Sequence, residues 1–315
     1  MKNSGRPSTQ RVSAARRYLN NYWPLYIMML IPLLYFILFK YVPMLGNVLA
    51  FRRYRPLTGP YGVRWEGFRY FKMFLNDAGF WRAFRNTLTL SLLNLVINFP
   101  IPIIFAILLN EVRSLRFKKL VQTVSYMPRF ISTVVVISIL TELLSPSRGV
   151  LNRLLSQCFG FPPQYYMNEP QYFRPLYILT DMWQYTGWSA IVYLAAITGI
   201  NAELFEAARM DGANRFQQIL YVTLPTIMPT VMIMFILKVG YLLSLGFEKV
   251  LLMYTPANST VSDIIDTFVY RIGFQSSANQ YSYATAIGLF SGIVGLILVS
   301  SANFLSKHTT GESIY

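Results

Sequence analysis

A single cysteine (Cys158) and a single histidine (His308) are all that the 315 residues hold of two side chains used for redox chemistry and metal binding. A disulfide framework needs cysteines in pairs and a zinc site needs several ligands, so this chain suits neither. A thiol–imidazole catalytic pair has little support across so long a gap in sequence. Charge is scarce as well: 13% of the residues are charged and 54% hydrophobic, against roughly 25% charged in an ordinary soluble domain. Acidic residues are scarcer still, with 13 Asp+Glu against 28 Lys+Arg and a net charge of +15. Those few acids are dispersed, which argues against the clustered carboxylates or nucleophile–base pair of an enzyme. The basic residues lie between apolar runs and build no basic domain, so nucleic acid is excluded and lipid headgroups are the expected partner. No G-x-x-x-x-G-K-[ST] run occurs, so no phosphate loop cradles a nucleotide here.

What the sequence has in plenty is long apolar runs. Six of them approach the ~20 residues needed to cross a hydrocarbon core of about 30 Å: Pro24–Val42, Thr87–Leu109, Leu120–Leu144, Leu176–Ile200, Thr226–Phe247 and Ala284–Leu305. The expected class is therefore an all-α membrane protein with six transmembrane helices. The first run reads as a retained span rather than a signal peptide. It is long, it carries Lys40 near its end, and no small-residue cleavage site follows it. Lys2, Arg6, Arg11, Arg16 and Arg17, together with Arg113, Arg116, Lys118 and Lys119 of "NEVRSLRFKKL", place the amino terminus and the second connection in the cytoplasm. Six spans then put both termini there. The Arg-rich connection "AFRRYRPLTGPYGVRWEGFRYFKMF" falls outside on this topology, and its length loosens the charge rule. The organisation expected is a cytoplasmic basic tail (1–22), a transmembrane domain (23–308) carrying a cytoplasmic loop (201–225), and a short cytoplasmic tail (309–315). Prolines at 100, 102, 128, 225 and 229 fall in or beside the spans. They suit a bundle that moves, and equally the ordinary kinks of membrane helices.

One stretch is out of place in so apolar a chain: "EAARMDGANRFQQILYVTLP", Glu206–Pro225. Asn201 is placed to cap a helix over "AELFEAARM", with Glu203 in its first turn. Asp211-Gly212 is placed to end that helix, because glycine readily takes the left-handed conformation. Asn214 with Gln217 spells a capping box for a second helix, which Pro225 is expected to limit. Two short helices meeting at a turn are predicted. The pattern resembles the EAA motif of ABC importer permeases, here Glu206-Ala207-Ala208, Asp211-Gly212-Ala213 and Leu224-Pro225. "FWRAFRNTLTLS", "RFKKLVQTVSYMPRFIS" and "YLAAITGINAELFEAA" extend the resemblance to the carbohydrate branch, particularly importers of polysaccharide-derived oligosaccharides, over most of the chain from about Tyr41.

The resemblance implies a type I ABC importer permease fold in a bacterial cytoplasmic (inner) membrane. The loop would be a coupling helix docked in the cleft of an ATPase subunit. Its expected partners are a second permease, probably a different chain, two ATPase subunits that bind ATP and Mg, and an extracytoplasmic sugar-binding protein. The chain itself would hold no cofactor and catalyse no reaction.

Sugars present hydroxyls and flat C–H faces, so a pathway wants aromatic platforms rimmed by polar groups. The fourth run offers them in "DMWQYTGWSAIVYLAA", with Asp181, Trp183, Gln184, Tyr185, Trp188 and Tyr193; Gln184 and Trp188 fall on one helix face. An interfacial aromatic belt would use the same residue types. Arg129 and Lys238 are ionisable residues within spans, with Glu142 and Glu248 as candidate partners, and snorkelling competes with a pathway role. If either cation lines the pathway, uronate-bearing sugars become favoured substrates. Two other readings compete: a secondary transporter or channel, which leaves Glu206–Pro225 unexplained and shows no inverted repeat, and a membrane glycosyltransferase.

Overall fold

The computed structural model describes residues 8–55, 59, 61–276 and 280–309. It falls into two compact units, 1–70 and 71–315. Of the tail residues singled out above, Lys2 and Arg6 lie outside the described residues, as does 310–315.

The first unit is built on one helix, Ser8–Phe36, which continues through a π-turn at Ile37–Tyr41 and a 3₁₀ stretch at Leu45–Ala50. The π-turn precedes Pro43. The Val42 N–H reaches back to the Ile37 carbonyl, the wider bonding that makes room for a proline ring and a missing donor. Asn21–Ala50 is apolar and long enough to span a membrane. A two-residue antiparallel ladder follows, pairing Arg52 with Trp65 and Arg53 with Arg64. Phe51 stacks on Trp65 with ring centroids 5.7 Å apart.

In the second unit, Ala78–Glu111, Arg215–Gly240 and Tyr281–His308 are long apolar helices, and two bent pairs complete a set of six spans with the first unit's helix. The second span starts nine residues earlier than expected, where the Asp77 side chain accepts from the Gly79 N–H at 2.7 Å. Pro100 does not interrupt it: Phe99 keeps helical angles and Pro100 opens the next helical segment, the position at which a missing N–H costs least.

The third span departs further from expectation. The continuous helix expected over Leu120–Leu144 is instead Leu115–Tyr126, a 3₁₀ turn at Met127–Phe130 and Thr133–Leu143, with a bend of 99°. Pro128 supplies no N–H. Ile131 turns extended, and Ser132 then caps the new helix by accepting from the Val135 N–H. The fourth span, Pro170–Thr198, is bent by 69° from the following helix Ala202–Met210.

The fifth span corrects two expectations. Arg215–Gln218 is no separate helix limited by Pro225; it is the first turn of a span running Arg215–Gly240. A π-turn at Ile219–Thr223, in which the Leu224 N–H reaches Ile219, absorbs Pro225 in the way the first π-turn absorbs Pro43. The helix then stops at Gly240, so 241–246, expected within the span, form a linker to the short helix Phe247–Met253.

The fourth span is the hub. It packs against Pro100–Glu111 and Leu115–Tyr126, and it contributes to two apolar clusters among the described residues. One centres on Leu90, Phe173, Tyr177, Val250, Met253 and Ile264, the other on Ala106, Ala190, Tyr193, Ile197, Ile227 and Val231. Between spans in lipid, such contact surfaces hold by close packing and interhelical hydrogen bonds rather than by escape from water.

Candidate functional site

The Glu206–Pro225 stretch forms an exposed turn at one end of the bundle. Asn201 caps its helix, accepting from the Glu203 N–H at 3.1 Å while its own amide donates to the Glu203 carboxylate at 3.0 Å. The other end closes as a Schellman motif. The Gly212 N–H donates to Arg209 O at 3.0 Å and the Ala213 N–H to Ala208 O at 2.9 Å, with Gly212 left-handed at φ +82. Asn214 and Gln217 make the capping box in both directions, at 3.0 and 2.8 Å. The N–H groups of residues 211–214 thus all have partners within the loop itself.

Glu206, Ala207, Asp211 and Gly212 are exposed, Ala208 and Ala213 half-buried. Leu224 and Pro225 lie beyond the turn, inside the fifth span. What residue-by-residue reading missed is the apolar set beside them: Leu204 (48% exposed), Met210 (89%) and Phe216 (69%) stand in the open on this polar loop. Arg215 reaches Glu111 at 3.4 Å, tying the turn to the end of the second span beside a cleft of about 780 Å³ that Arg113, Arg209 and Gln218 also line.

A second site lies within the spans, a cavity of about 320 Å³. The second span lines it with Ser91 and Asn94, the fourth with Tyr177, Asp181 and Tyr185. Lys238 comes from the end of the fifth, Tyr241 from the linker, and Glu248 and Lys249 from the helix after it. Ser91 donates to the Leu242 carbonyl, which anchors the linker. Lys249 is buried: its Nζ donates to Tyr177 O at 3.0 Å and to Asp181 Oδ1 at 3.2 Å, and sits 4.4 Å from the Tyr177 ring centroid. Asn94 donates to the other carboxylate oxygen, Oδ2, at 2.9 Å.

Of the residues singled out in the sequence for a pathway, the cavity gathers Asp181, Tyr185, Lys238 and Glu248. Gln184 is buried and its amide donates to Ile131 O at 2.9 Å, satisfying a carbonyl released by the third-span break. Trp188, on the expected shared face, is instead 44% exposed and meets Phe130 edge-on at 5.7 Å. Tyr193 is enclosed in the second apolar cluster. Arg129 lies over the Tyr185 ring at 5.0 Å from its centroid. Among the described residues no ion pair joins Arg129 or Lys238 to Glu142 or Glu248. Asn94 and Lys249 went unnoticed in the sequence. Lys249 stands next to Glu248 in an apolar flank, and Asn94 is one of two amides, with Asn98, inside "LLNLVIN", so each gave only a weak signal.

The chain is similar to known transport proteins over nearly its whole length. It is 47% identical to the polygalacturonan/rhamnogalacturonan transport system permease protein YteP of Bacillus subtilis (strain 168), covering 92% of this chain and 90% of that one. It is 42% identical to Protein LplB of the same organism over 92% and 91%. Among solved structures it matches a chain of a bacterial ABC transporter involved in the import of the acidic polysaccharide alginate, with a TM-score of 0.86 and 40% identity over 94% of this chain and 99% of that one. Residues 98–311 match the model of the binding-protein-dependent transport system inner membrane component. These similarities establish that the chain, with its exposed turn and its cavity within the spans, belongs to that family of ABC importer permeases.

Proposed function

We propose that the chain is the permease subunit through which an ATP-driven importer passes sugars or oligosaccharides handed over by an extracytoplasmic solute-binding protein, with hydrolysis on separate ATPase subunits and a second permease completing the pathway. The observation that carries this reading is the capped, exposed turn at Asp211–Ala213 flanked by bare Leu204, Met210 and Phe216. An internally satisfied loop with apolar side chains in the open is built to be received by another protein's groove. Closure of an ATPase pair around two such loops would move the spans as rigid bodies. The relatives that transport polygalacturonan, rhamnogalacturonan and alginate support a glycan substrate, uronate-bearing ones included.

The test is reconstitution of the chain with the second permease, the ATPase and the binding protein in vesicles. Uptake of labelled oligosaccharide should require ATP and vanish when the ATPase subunit cannot hydrolyse it. Uptake by the chain alone, driven by a proton or sodium gradient, would instead select the secondary-transporter reading.

The turn and both termini belong on the cytoplasmic side in this reading. In a Cys158→Ser background, which removes the exposed native thiol, Ser114→Cys should react with an impermeant maleimide only from the cytoplasm and Tyr61→Cys only from outside. Tyr61, 53% exposed, is a better probe than Gly62, whose φ of +74 and the 2.8 Å between an added Cβ and Arg53 O leave a side chain no room. Labelling of Tyr61→Cys from the cytoplasm would invert the topology.

A further inference from the structure

The ion pair on the cavity wall has bonding capacity that its structural role leaves unused. Lys249 and Asp181 have side chains only 5% and 15% exposed, and both line the cavity. An ammonium has three N–H donors, and Lys249 commits two, to Tyr177 O and Asp181 Oδ1. A carboxylate accepts about four hydrogen bonds, and Asp181 receives two, from Lys249 and Asn94. The Asn94 Oδ1 atom is buried with no partner. The pair therefore keeps one spare donor and spare carboxylate lone pairs, and the buried Asn94 carbonyl beside it is unmatched.

The charges on this wall decide what such a site takes. Lys238 and Lys249 are balanced by Asp181 and Glu248, and the buried pair is itself neutral, so it is no anion trap. It offers a donor and an acceptor side by side, 3.2 Å apart, the complement of two neighbouring hydroxyls of which one donates and the other accepts. Tyr185, with Arg129 over one face of its ring, lines the same cavity and adds an aromatic surface of the kind that meets the C–H side of a pyranose.

We propose that Asp181 and Lys249 form a subsite for a vicinal diol of the passing sugar, with Asn94 as the positioning residue that holds the carboxylate in register. The subsite rests on the sugar-import reading above. It recognises hydroxyl placement rather than acidity, so a uronate and its neutral counterpart are gripped alike at this point.

The experiment uses the complete transporter with its binding protein in nanodiscs. ATPase stimulation is measured against the concentration of trigalacturonate, trimannuronate and xylotriose, and of the 2-deoxy and 3-deoxy analogues of the strongest stimulator. In the wild type a deoxy analogue should need about ten times the concentration for half-maximal stimulation, the cost of leaving a charged partner unmatched. The double variant Asp181→Leu/Lys249→Met removes both charges together and so leaves no lone buried ion. It should need about ten times more of the parent sugar and show no further penalty for its deoxy analogues. Should it not assemble with the ATPase, Asn94→Ala is put through the same cycle, where the deoxy penalty should shrink several-fold. Wild-type concentration dependence, or an undiminished deoxy penalty in the assembled variant, would show that the pair only pins the linker helix and would overturn the subsite. If none of the three sugars stimulates the wild type, the sugar-import reading itself fails and the subsite falls with it.

Discussion

Replacing Gly187 by valine will leave a chain that inserts but does not hold its bundle together. A Cβ built at Gly187 lies 2.2 Å from the Ser125 carbonyl oxygen and 2.5 Å from its carbon, both backbone atoms of the facing helix Leu115–Tyr126. No rotamer change relieves such a contact, so one helix must move away from the other. Small residues at this kind of crossing are what let membrane helices approach closely enough for dispersion to hold them. The same helix carries the Arg129 and Phe130 turn at its end, and the fourth span fixes that turn through Gln184, Tyr185 and Trp188. A displacement at Gly187 therefore also disturbs the third-span break. Ordinary overpacking costs about 1–3 kcal/mol; a backbone clash exceeds it, and the unfolding midpoint in detergent should fall by ~10 °C or more. Gly292→Val is the control, because nothing lies within 4 Å of a Cβ there, and it should melt with the wild type. A Gly187→Val chain as stable as wild type would mean that the two helices are not in this close contact.

How far the sequence reached depended on whether a signal was local. The caps at Asn201 and Asn214 and the left-handed Gly212 follow from a few adjacent residues, and all three stand as expected. The number and class of the spans follow from hydropathy, which needs no partner either. Proline was the least reliable guide, because its effect depends on what receives the freed carbonyl. Pro100 and Pro225 are absorbed within continuous spans, whereas Pro128 comes with a break of 99°, and the nearby Ile131 carbonyl is taken by Gln184 from another helix. The cavity was the least legible part. Asn94, Asp181 and Lys249 come from three separate segments, and only the folded chain shows that a lysine in an apolar flank is paired across 68 residues. Aromatic spacing within one helix likewise could not tell the enclosed Tyr193 from the half-open Trp188, since burial is decided by the neighbouring spans.

The second large effect belongs to the turn. Gly212→Trp should abolish uptake and substrate-stimulated ATPase activity while the chain still inserts and reaches normal levels in the membrane. Two causes act there, and they can be separated. The φ of +82 costs any ordinary L-residue about 1–2 kcal/mol, and the Schellman bonds from Gly212 and Ala213 depend on that conformation. The second cause is bulk, because nothing lies within 4 Å of an added Cβ; a large side chain would project outward from the turn, where a docking groove would have to close. Asparagine tolerates the left-handed region, so Gly212→Asn keeps the turn and adds only a short side chain. It should retain most of the coupling. Tryptophan adds the full obstruction, and a loss of about 3 kcal/mol in docking would weaken association about a hundredfold. Glu206→Ala, which removes one exposed carboxylate and leaves the turn intact, should reduce coupling only modestly. The measurements are co-purification of the ATPase, its stimulation by sugar, and uptake in vesicles at matched expression. Equal loss in Gly212→Asn and Gly212→Trp would assign the effect to turn geometry rather than to an occupied groove. Wild-type coupling in Gly212→Trp would remove this loop from the transmission path altogether.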